Sequence, residues 1–105
     1  MITGVVVGRK DFVEQNPDLV DTFLSQYEQS VAYTQEDVEG AAKLIGEYDI
    51  VPEAVAQKAL PACNITFIAG DEMQAKLSAY LQTLLEQNPQ SIGGELPDDG
   101  FYYLG

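Results

Sequence analysis

Ile2-Thr3-Gly4-Val5-Val6-Val7-Gly8 opens the chain with consecutive β-branched residues and no polar alternation. That pattern suits a strand covered on both faces, as in the middle of a parallel or mixed α/β sheet. Working outward, only Asn64-Ile65-Thr66-Phe67-Ile68 offers a second clear strand. A two-stranded pair is marginal in water unless helices or further strands complete it. The expectation is an α/β fold, mostly helical, with two short strands near Ile2–Val7 and Asn64–Ile68 and four main helices. Such an under-supplied sheet implies that the chain is part of something larger or is completed by a partner.

The helices announce themselves by punctuation and period. After Gly8-Arg9-Lys10, Asp11 can cap a short turn through Gln15. Asn16-Pro17-Asp18 then starts a long helix: Asn16 as N-cap, Pro17 at the first helical position, and Asp18 against the positive end of the dipole. Val20, Phe23, Leu24, Tyr27 and Val31 recur at helical spacing, with Asp21, Gln26, Glu28 and Gln29 opposite. Thr34-Gln35-Glu36-Asp37 reads as a capping-box variant opening a second helix, whose Val38, Ala41, Ala42 and Ile45 make a narrow face. Pro52 begins a third helix, which Pro61 is expected to stop, and these two helices read as a helical hairpin. The fourth carries Met73, Leu77, Tyr80, Leu81 and Leu84 on one stripe and ends near Asn88-Pro89. The tail after it is rich in turn residues but contains Phe101-Tyr102-Tyr103, aromatics large enough to dock.

At 105 residues and 46% hydrophobic content, the chain fits one domain, residues 1–105, or a segment of a larger one. Its 17 acidic residues against 5 basic ones, a net charge of −12, oppose non-specific attraction to nucleic acid and to anionic lipid. No apolar run approaches the length that spans a bilayer, so direct membrane insertion of this segment is not expected.

Chemistry is sparse. No histidine is present, which removes the commonest general base and metal ligand. Cys63 is the only cysteine; it has no histidine partner for nucleophilic catalysis, and it reads as a small buried hydrophobe. Gly4 and Gly8 bracket the first strand, yet no phosphate-cradling glycine pattern follows. The carboxylates at Glu36, Asp37, Glu39, Asp71 and Glu72 sit in first turns of helices, where the dipole accounts for them. Asp98-Asp99-Gly100 lacks the spaced ligands of a calcium loop. An enzyme, a metal site and a cofactor are therefore not expected. Tyr33, Tyr102 and Tyr103 are less explained: they could stack on a ligand or an adjacent lobe, with core or lobe contact the favoured expectation.

Taken in order, Gly4-Val5-Val6-Val7-Gly8-Arg9-Lys10-Asp11-Phe12 and Asn16-Pro17-Asp18-Leu19-Val20, followed by a long amphipathic helix, resemble the C-terminal third of ABC-importer substrate-binding proteins of the nitrate/sulfonate/taurine type. Asn64-Ile65-Thr66-Phe67-Ile68, Gly70-Asp71-Glu72-Met73 and Ile92-Gly93-Gly94-Glu95-Leu96-Pro97-Asp98-Asp99-Gly100-Phe101-Tyr102-Tyr103 resemble the terminal segment of a bacterial subgroup, so the similarity runs over nearly the whole chain. The resemblance implies part of a lobe of a type II periplasmic-binding-protein fold. It also implies an extracytoplasmic parent, periplasmic or a cell-surface lipoprotein, that captures a small solute between hinged lobes and delivers it to an ABC permease. On that basis Thr3 and Gly4, with Cys63 and Asn64, are expected near the ligand-binding cleft. The solute could be a vitamin precursor, a sulfonate, nitrate or another small organic molecule. This chain has neither the secretion signal nor the two α/β lobes of a complete member. The competing expectation is a small acidic α/β interaction module that completes its sheet by homodimerisation or by accepting a partner strand.

Overall fold

The computed structural model describes residues 2–105, and among them the chain is helical, with no strand. Five α-helices follow one another: α1 (Lys10–Gln15), α2 (Pro17–Glu36), α3 (Val38–Glu47), α4 (Glu53–Cys63) and α5 (Gly70–Gln87). Two single 3-10 turns, Pro89–Ile92 and Asp99–Phe101, follow α5. The residues group into two compact units, one from residues 13–67 and one from residues 1–12 with 68–105.

The α/β expectation is overturned at both expected strands. Residues 2–9 form neither a helix nor a strand pair, and Val5, Val6 and Val7 are 61%, 54% and 81% exposed instead of covered on two faces. Residues 64–68 are equally unpaired. There the Gln35 side-chain amide donates to the Ile65 carbonyl, the Thr66 hydroxyl donates to the Asn64 carbonyl at 3.0 Å, and the Phe67 ring lies 5.9 Å from Tyr27. β-branched residues bias a backbone locally, but a strand exists only where a second edge completes the ladder. Among the described residues no such edge is offered. The short turn expected after Asp11 is a helix of its own, α1, so there are five helices where four were expected.

Unit 13–67 is built by α2, α3 and α4. α2 starts where the Asn-Pro signal places it: Pro17 occupies the first turn and the Val20 amide donates to the Asn16 carbonyl at 3.1 Å, although the Asn16 side chain makes no capping bond. The boundary with α3 falls three residues later than the capping-box reading puts it. Thr34 stays inside α2, its hydroxyl donating to the Val31 carbonyl at 2.6 Å, and Asp37 takes the cap. The Asp37 amide donates to the Tyr33 carbonyl at 3.0 Å, ending α2, while its carboxylate accepts from the Gly40 amide at 3.0 Å, opening α3. One residue thus satisfies orphan groups of two helices.

α3 and α4 make the closest helix contact of this unit, through small residues. Ala41, Ala42 and Ala56 are its buried side chains, and a Cβ placed on Gly46 would sit only 3.1 Å from the Glu53 Cβ. Asp49, at φ 57°, turns the chain between them. Pro52 stands at the N-cap of α4, one residue outside the helix. Pro61 does not stop α4: a proline in the last turn forfeits one amide, and the helix runs on to Cys63 until Asn64 adopts the left-handed conformation at φ 52°.

In the second unit, α5 carries the expected stripe: Met73, Leu77, Tyr80, Leu81 and Leu84 are all half-buried, and the helix packs against the turn Pro89–Ile92. Asp71 and Glu72 complement its N-terminal dipole, and Lys76 pairs with Glu72 one turn on at 3.5 Å. Gly94, at φ 94°, lets its amide return to the Pro89 carbonyl at 2.9 Å. Farther along, Phe101 and Tyr102 stack edge to face at 5.3 Å.

Candidate functional site

α2 carries two adjoining, chemically different rows. On one, Phe23, Tyr27 and Phe67 form a short aromatic string with ring centroids 5.8 and 5.9 Å apart, and both α2 rings stay exposed. On the other, uncharged polar residues follow a helical period at Gln26, Gln29, Ser30 and Tyr33. That second row faces Ala41, Leu44 and Ile45 of α3 across an open groove of about 430 Å³.

Asp37 fixes the end of this groove. The Tyr33 hydroxyl donates to its carboxylate at 3.3 Å, and a Cβ on Gly40 would collide with both groups. Any larger residue there would have to push the ends of these two side chains aside. Loss of solvation pushes the Tyr33 phenol above its ordinary value of 10.0, and the Asp37 charge and its hydrogen bond act in the same direction. Tyr33 is therefore neutral at physiological pH and donates its hydroxyl hydrogen to Asp37. The Gln26, Gln29 and Ser30 side chains make no hydrogen bond among the described residues, which leaves their amides and hydroxyl turned to whatever enters.

No basic side chain lines the groove. Its chemistry is that of amides and hydroxyls over an apolar wall, suited to neutral polar groups and to peptide backbone and unsuited to holding an anion unaided. Among the described residues no cluster of three or more His, Cys, Asp or Glu is placed to hold a metal ion, and no helix is long and apolar enough to cross a membrane.

The four residues expected at a cleft lie elsewhere. Thr3 and Gly4 are exposed in the unpaired N-terminal segment. Cys63 ends α4 and is an exposed free thiol, not the buried hydrophobe its composition suggests, and Asn64 is the left-handed cap beside it. The two pairs fall in different compact units. None of the four lines the groove. The groove itself was within reach of the sequence, since residues 26, 29, 30 and 33 repeat at helical spacing without a charge. The chain matches no family model, no curated protein and no solved structure.

Proposed function

We propose that the chain is the C-terminal part of an extracytoplasmic solute-binding protein whose parent captures a small organic or anionic solute for an ABC importer. The observation that carries this reading is the ordered run from Gly4-Val5-Val6-Val7 through Asp11-Phe12 to Asn16-Pro17-Asp18-Leu19-Val20, leading directly into a long amphipathic helix. Support comes from the state of the apolar surface. Among the described residues the side chains buried outright are alanines, whereas Leu19, Phe23, Tyr27, Val55 and Phe101 remain exposed. Apolar area of that extent fits contact with a larger body.

The charge balance sharpens what this segment contributes. With no cation in the groove and a net charge of −12, these residues repel an anionic solute, so any nitrate or sulfonate specificity comes from cations of the parent's other residues. On this reading the segment supplies helical support, and Thr3, Gly4, Cys63 and Asn64 gain a ligand-facing role only when the remainder of the parent covers them. The test is to express the open reading frame extended upstream of Met1 and titrate it by calorimetry with nitrate, taurine, other sulfonates and pyrimidine vitamin precursors. Saturable one-to-one binding by the extended protein and none by the 105-residue chain is the expected result. A translation start with its own ribosome site at Met1, or micromolar binding by the isolated monomer, overturns the reading.

A second reading, an acidic interaction module completed by pairing with another chain, is favoured by the uncovered Val5–Val7 segment.

A further inference from the structure

We draw no further inference here: the strongest candidate, the exposed apolar turn between α3 and α4 where Tyr48, Ile50 and Val51 stand among Glu47, Asp49 and Glu53, carries nothing, because nothing in the structure shows what covers it.

Discussion

The α3/α4 pair and the N-terminal arm, residues 2–9, are both apolar stretches, and they end in opposite states. In the pair, alanines and a glycine let two helices approach until Ala42 is fully buried and Gly46 touches Glu53. In the arm, three valines, each with more apolar area to bury than an alanine, stay in water. Burial therefore follows from which surfaces meet and not from the hydrophobicity of a residue. The small side chains stabilise the pair through close contact, while the transfer free energy available from the valines goes unused.

Overpacking the pair is the strongest way to break this contrast. Ala42→Leu inserts a side chain where no space exists and is expected to cost about 1–3 kcal/mol, read as a loss of chemical stability in urea. A wild-type unfolding midpoint would mean that α3 and α4 separate easily and that the two regions do not differ. Removing the shared cap comes next: Asp37→Ala should cost about 1 kcal/mol, and Asp37→Asn much less, because an amide oxygen can still accept from Gly40. Equal losses in both would assign the effect to charge and not to capping. At the far end of the pair, Asn64→Ala places a Cβ-constrained residue in a left-handed cap and should cost about 1 kcal/mol, whereas Asn64→Gly should be nearly neutral. Similar stability of the alanine and glycine variants would show that α4 can end another way.

Alkaline titration gives a smaller and more local effect. Tyr33 has its phenol raised in the folded chain, so its contribution is complete below the ordinary value of 10.0 and is lost as pH climbs through the raised value. Between about pH 9 and about pH 11 the melting temperature of wild type should fall more than that of Tyr33→Phe. Parallel curves would remove any energetic role for the Tyr33–Asp37 contact. Smallest of all is Val6→Asp in dilute chain. With Val6 half exposed, monomer stability should change by less than about 0.5 kcal/mol. A loss of several kcal/mol would mean that the arm is covered after all, and the comparison would collapse.

What the sequence discloses depends on the range of the interaction. Asn16-Pro17 and the stripe from Met73 to Leu84 locate α2 and α5 because capping and amphipathic period are written within one or two helical turns. The Thr34 boundary misleads because two residues compete for the same role, and the winner is the one whose carboxylate reaches the Gly40 amide. The strand reading of Val5–Val7 fails at longer range, since continuous β-branching encodes a preference for a sheet without supplying the neighbouring edge. The expected site residues Thr3, Gly4, Cys63 and Asn64 came from a family resemblance, which concerns surfaces beyond these residues. In contrast, the row at 26, 29, 30 and 33 is a local pattern; its meaning emerges only when α3 is folded opposite it.

The doubled role of Asp37 has a dynamic corollary. Fraying normally proceeds from each helix end separately, but here the last carbonyls of α2 and the first amides of α3 are held by the same residue. Opening at that joint exposes both ends at once. Amide hydrogen exchange at Val38, Glu39 and Gly40 should therefore rise and fall together with that of the last turn of α2, with one shared opening free energy, so that the two helices behave at their junction as one cooperative unit.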